Sequence, residues 1–206
     1  MGMHSLSKAT AARQGPRPTW RAICCAMVCG ALLGAAQAQV SGVASPNAAF
    51  NRPEVTGLGG VVPTAPVRLR VWGFEVYDAR LWTPLGFRHG QYMQFPFALE
   101  LQYLRRLEGA AIASRSIEEM RRVGSFSDAQ AQNWLLVMRE LFPNVGKGER
   151  ITGINLPGEG AEFWVNGQRV GVVKDVAFAR LFFGIWLDER TSEPKMRAQL
   201  LQGLQP

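Results

Sequence analysis

The side chains able to do chemistry are few in this 206-residue chain, and their spacing is poor for catalysis. Glu118 and Glu119 are neighbours in a stretch with helical periodicity. Neighbours on a helix point about 100° apart, so these carboxylates are not a facing acid–base pair and are expected to be solvated. Asp78 and Arg80 flank Ala79 and are expected to form a charged rim or an exposed ion pair rather than a general acid or base. Cys24, Cys25 and Cys29 all fall within the N-terminal apolar run. Beyond that run there is no thiol nucleophile, disulfide or thiolate metal site, and His89 is the only histidine. No multi-histidine metal site or Ser/His/Asp triad with a choice of base is expected, and no metal or other cofactor. Arg105-Arg106 and Arg121-Arg122 are the only tight basic clusters. They read as a strand end and a helix end, and a nucleic-acid partner would call for a longer basic stripe.

The N-terminus narrows the setting. Lys8, Arg13, Arg17 and Arg21 precede an apolar run from Ala22 to Ala36, with no acidic residue among them. That order, closed by Ala36-Gln37-Ala38, predicts a secretory signal over residues 1–38 with cleavage before Gln39. The run is shorter than the roughly 20 residues that span a bilayer, so no stable membrane anchor is expected after cleavage. Export is expected, to the periplasm if the source has two membranes. Cleavage leaves 19 basic against 16 acidic residues, a net charge of +3, so most of the basic excess belongs to the signal.

Hydrophobic pattern and turn chemistry supply the elements. Residues 39–66 are rich in Gly, Ala, Pro, Ser and Val and read as an extended lead-in with an edge strand near Val61. Val67 to Leu81 carries β-branched and aromatic residues interrupted at Gly73, which fits two strands or one bent strand. Phe95, Phe97, Leu99, Leu101 and Tyr103 alternate with Pro96, Ala98, Glu100 and Gln102, predicting a strand with one apolar and one largely wet face. Gly109 to Val123 reads as a helix with Arg121 and Arg122 in its last turn, where cations suit the carbonyl end. Ser127 and Gln130 predict a capping box for a second helix, which Pro143 stops. Asn166-Gly167 predicts a tight hairpin between strands at 160–165 and 168–173. Asp175 caps a run to Leu187 that is apolar nearly all round, and Ser192 is expected to cap a last helix through Leu201.

The segments Val71 to Trp82, Phe97 to Arg105, Phe142-Pro143-Asn144-Val145, Trp164 to Gly167, and Asp175 to Phe178 running into Phe182 to Leu187 together resemble the chalcone isomerase-like family, in its bacterial exported branch. The resemblance covers roughly residues 67–202. It implies an α+β fold, an open-faced antiparallel sheet with helices packed on one face and a ligand cleft between the two layers, formed by residues 67–206. The family includes ring-closing isomerases, fatty-acid-binding proteins and non-catalytic members, so the resemblance implies a fold and not a reaction.

Laid over the isomerases, the catalytic tyrosine position falls on Ile112, the asparagine on Glu119, the threonine on Trp72, and the late polar pair on Gly184 and Ile185. Most of the hydrogen-bonding set is absent. The fatty-acid-binding members imply instead a clamp in which Arg68 or Arg70 holds a carboxylate, Tyr77 or Tyr103 gives a second donor, and Phe97, Leu99, Phe178 and Phe182 line the tail. The expectation is an exported protein that binds a small, mostly apolar ligand, a fatty acid or similar carboxylate. An isomerase or intramolecular lyase using the same cleft, and a non-catalytic envelope protein with a protein partner, are the alternatives.

Overall fold

The computed structural model describes residues 52–206. The expected signal segment, the three cysteines and the lead-in as far as Asn51 lie outside the described residues. Helix α1 spans Pro53–Thr56. Strands β1 (Val62–Pro63), β2 (Val67–Val71), β3 (Phe74–Thr83) and β4 (Phe97–Tyr103) follow, with a 3-10 turn over His89–Gln94 before β4. Helices α2 (Gly109–Val123) and α3 (Asp128–Leu141) precede β5 (Arg150–Leu156), β6 (Gly160–Val165) and β7 (Gln168–Val173), and α4 (Val176–Leu187) and α5 (Pro194–Leu200) close the chain.

All strand pairs are antiparallel, in the order β1, β3, β4, β5, β6, β7, and β2 shares the edge of β3 with β1. The interruption at Gly73 is a two-residue hairpin. Val71 pairs with Phe74, and Trp72 (φ +49°) with Gly73 (φ +82°) forms a turn of the type I′ kind. A register shift sits lower in the same ladder, between Leu69 and Arg70. Asn166 (φ +50°) and Gly167 (φ +83°) make the second such turn, as their types predict.

Strand β5 is an element the hydrophobic pattern does not signal, yet it occupies the middle of the sheet. Its sequence RITGINL places Gly153 where the aromatic layer comes closest. A Cβ there would stand 3.2 Å from Phe183 and 3.3 Å from Phe163. A strand that makes room for neighbouring rings has lost the apolar alternation by which strands are recognised.

One face of the sheet packs against α2 and α4. Of the buried residues of α2, Gly109, Ala113, Ser116, Met120 and Val123 recur at spacings of three and four, which makes one stripe, and Glu119 is buried beside it. Helix α4 buries Phe178, Ala179, Leu181, Phe182, Phe183, Gly184, Trp186 and Leu187, as a helix apolar all round should. Asp175 joins the layers: Oδ1 accepts from Ala177 N and Phe178 N, while Oδ2 accepts from Trp134 Nε1 on α3 at 3.0 Å. The Ser127/Gln130 capping box forms as predicted. At α5 the cap differs from expectation: Glu193 holds the N-cap position, and the hydroxyl that accepts its N–H is that of Thr191, not Ser192.

The other face is not wet. The lead-in crosses it, burying Val55 against Trp82, Ala98 and Ile154. Glu100, expected in solvent, is 3% exposed and pairs with Arg52, whose guanidinium pKa that bond raises. Glu54 is buried beside it, accepting from Thr152 Oγ1 at 3.3 Å and facing Arg150 at 3.9 Å. A carboxylate on an alternating strand reads as solvent-facing. Burial becomes tolerable here because arginines and a hydroxyl arrive from distant positions.

Candidate functional site

Between the β2–β5 end of the sheet and α2, α4 and α5 lies a cavity of about 320 Å³. Its walls are mainly apolar: Leu69, Val76, Leu101, Ile112, Phe182 and Met196 face it. Exposed residues among the lining, Val71, Ala111, Arg115, Ser192 and Glu193, ring its mouth beside the Trp72 hairpin.

The polar groups facing this space are mostly donors. Tyr77 Oη accepts from Trp186 Nε1 at 3.0 Å, which leaves the phenol proton directed elsewhere. Tyr103 is 2% exposed, meets the Tyr77 ring edge-on at 6.1 Å, and its hydroxyl has no hydrogen-bond partner among the described residues. Burial pushes both phenols well above the usual tyrosine range, so they stay neutral donors at physiological pH. Arg197 is fixed by Nε donating to Leu187 O at 2.7 Å, a carbonyl left over at the end of α4. No carboxylate lies within ion-pair reach of its guanidinium among the described residues. Thr191 Oγ1 donates to a second such carbonyl, Ile185 O, at 2.6 Å. Glu119, 6% exposed, faces the cavity with Arg115 Nη2 at 2.6 Å and Arg122 Nε at 3.5 Å.

Three of the eight residues expected at the ligand line the cavity: Tyr77, Tyr103 and Phe182. Phe97, Leu99 and Phe178 are buried in the core beyond it. Arg68 and Arg70 are outside. Arg68 donates to both carboxylate oxygens of Asp78, at 2.7 and 2.8 Å, and to Glu75; Arg70 reaches Glu75 at 2.9 Å. A strand alternates its side chains between faces. Leu69 lines the cavity, so its neighbours Arg68 and Arg70 point away and the clamp expected of them is not formed. Asp78 accordingly pairs with Arg68 and not with Arg80, which stacks over Trp82 at 5.8 Å. Glu118 is solvent-exposed as expected, but Glu119 is not. Trp72 stands outside the cavity, whereas Ile112, Glu119 and Ile185 line it. Those positions therefore offer two aliphatic side chains and a carboxylate already engaged by arginines.

The reading of the sequence missed Arg115, Arg197 and Thr191. A signal for the first exists: Ile112, Arg115, Ser116 and Glu119 share a helical face at spacings of three and four. Nothing local marks Arg197, because α5 comes to the cavity only through tertiary packing.

A sheet with this strand order, one helix layer and a cavity between them defines a chalcone isomerase-like protein, and a profile of that family matches residues 64–202. The chain belongs to the chalcone isomerase-like family. An uncharacterized protein of Haemophilus influenzae is 30% identical to it over 131 residues, 63% of either chain. The chain thus spans somewhat under two thirds of that relative's length. Among solved structures, a fatty-acid binding protein of Arabidopsis thaliana shares the fold, with a TM-score of 0.51 and 14% identity over 68% of this chain and 84% of the other.

Proposed function

We propose that this is an exported protein that binds a small, mostly apolar ligand with a carboxylate or carbonyl head in the cavity, a fatty acid of short or medium chain being the first candidate. The observation that carries the reading is the Tyr103 hydroxyl, which opens onto an apolar cavity and has no hydrogen-bond partner among the described residues. A hydrogen bond from such a hydroxyl contributes about 0.5–1.5 kcal/mol net, and about 1.5–3 kcal/mol to a charged acceptor, which a ligand carboxylate would supply. Tyr77 and Arg197 supply further donors around the same space, and a carboxylate can accept all three. The volume is near the lower end of the roughly 300–1,000 Å³ usual for ligand pockets, which favours a compact ligand over a long chain. The Arabidopsis neighbour is a fatty-acid binding protein, which agrees with this choice. Export rests on the charged, then apolar, then Ala-Gln-Ala order of the N-terminus.

The test is to express the full chain, recover the processed protein, and examine it by native mass spectrometry before and after adding decanoate. A bound acid, or uptake of decanoate that Tyr103→Phe and Arg197→Gln each weaken by about 1–3 kcal/mol while Arg68→Ala does not, supports the reading. An empty protein that ignores decanoate and shorter or longer acids overturns it. The same preparation tests export: the processed chain should begin at Gln39 and leave the cytoplasm.

A further inference from the structure

The Trp72 hairpin is placed as no packing argument requires. Trp72 is 95% exposed and Phe74 is 61% exposed, and both are large apolar side chains at one tip. Trp72 also holds a φ of +49°, where a bulky side chain is disfavoured and Asn, Asp or Gly is usual. A residue unfavourable in both exposure and backbone points to a use outside the fold.

The surroundings indicate which use. Arg105 stacks over the Phe74 ring at 5.3 Å and has no carboxylate within ion-pair reach among the described residues. Arg70 and Arg106 are exposed nearby, each paired to an exposed carboxylate, Glu75 and Glu108. Val71, next to Trp72, is itself part of the cavity wall. A tip of Trp and Phe bordered by arginines has the chemistry of a membrane interface, where indoles sit at headgroup depth and guanidinium groups meet phosphates. A second copy of the chain is the less favoured occupant. Strand β2 is an open edge, but Arg68, Arg70 and the register shift after Leu69 blunt it against edge pairing.

We infer that the Trp72 hairpin is a surface anchor for a bilayer containing anionic lipid, and that it holds the cavity mouth against the headgroups. Trp72 and Phe74 enter the interfacial layer, and Arg105 contacts lipid phosphate. No helix among the described residues is long and apolar enough to cross a membrane, and a two-residue turn with one Trp and one Phe reaches only the interfacial layer. The anchor stands on the hairpin alone; its use in loading the cavity from the membrane rests on the binding reading above.

The full chain, in the processed form the cell yields, is sedimented with vesicles of phosphatidylcholine, with and without phosphatidylglycerol. It is compared with Trp72→Asn/Phe74→Ser and with Arg105→Gln. Any membrane affinity of the N-terminus is common to all three, so differences report the hairpin. The double variant should partition at least about tenfold more weakly onto both kinds of vesicle. Arg105→Gln should weaken binding only where phosphatidylglycerol is present. Decanoate binding measured without vesicles should be the same in all three proteins. Equal partitioning of parent and double variant overturns the anchor, as does a parent that ignores vesicles. A parent that self-associates in solution, and ceases to do so in the double variant, overturns it in favour of a second copy. Failure of decanoate binding in every protein strikes the binding reading and leaves the vesicle result standing.

Discussion

The sheet carries two hairpins with nearly the same backbone, and the chain treats them in opposite ways. At Asn166-Gly167 both turn residues are the types that positive φ favours, and the turn is bonded into its surroundings. Asn166 Oδ1 accepts from Arg150 N at 2.8 Å and its Nδ2 donates to Glu149 at 3.0 Å, while Gly167 lies against Pro53 of α1. At Trp72-Gly73 the φ values differ by only a degree from those of the other turn, but the first residue is an exposed Trp and Gly73 has open space around it. Local chain geometry therefore fixes the turn in both places, and the side chain reveals what each turn is for. One closes the structure; the other presents itself to solvent beside a cavity mouth.

The largest test of this division uses alkali. The strand rising into the Trp72 hairpin carries Tyr77, which faces Tyr103 across the β3–β4 ladder, and burial raises both phenol pKa values. A raised folded pKa contributes stability that is complete below the unfolded value, about 10 for tyrosine, and is lost as pH rises beyond it. Unfolding free energy should fall above pH 10 by up to about 1.4 kcal/mol per pH unit for each phenol. Urea midpoints measured from pH 8 to 12 should show a shallower fall in Tyr103→Phe, while Asn166→Ala should keep the parent's slope. A slope unchanged by removing Tyr103 would put the alkaline sensitivity elsewhere.

Next in size is the bonded hairpin itself. Asn166→Ala places a residue with a Cβ and no side-chain amide at φ +50° and removes both hydrogen bonds, so stability should fall by about 2 kcal/mol in urea unfolding. The paired glycines refine the point. Gly73→Ala and Gly167→Ala meet similar backbone strain, about 1 kcal/mol, but only at Gly167 would the new Cβ press within 3.2 Å of Pro53. Gly167→Ala should therefore cost more, and equal losses would show that the lead-in yields there freely.

The same contrast explains what could be read from the sequence. Asn166-Gly167, the Ser127/Gln130 box, the Asp175 cap and the α4 core run are local patterns, and the structure contains each of them. Family resemblance supplied the sheet-and-helix plan, and the match over residues 64–202 agrees. What failed was whatever depends on contacts remote in sequence. Strand β5 went unseen because Gly153 serves rings from β6 and α4. Glu100 looked wet because its partner Arg52 lies 48 residues away. The expected clamp went to Arg68 and Arg70 because residue type alone does not say which face of β2 an arginine occupies. Arg197 comes to the cavity only once α5 has folded back beneath α4, where a carbonyl at the helix end holds its Nε.

The smallest effect has an unusual sign. Replacing Trp72 with Asn puts a favoured residue into the left-handed first turn position and uncovers nothing, since the indole is already almost wholly in solvent. Stability should rise by a few tenths to about 1 kcal/mol, read as a higher urea midpoint with unchanged slope. A fold selected only for stability has no reason to keep the tryptophan at this position. Loss of stability in Trp72→Asn would mean that the indole packs somewhere in solution, and the hairpins would then differ less than their geometry indicates. A gain would mark Trp72 as a residue retained against the preference of its own turn, as an outward-facing anchor requires.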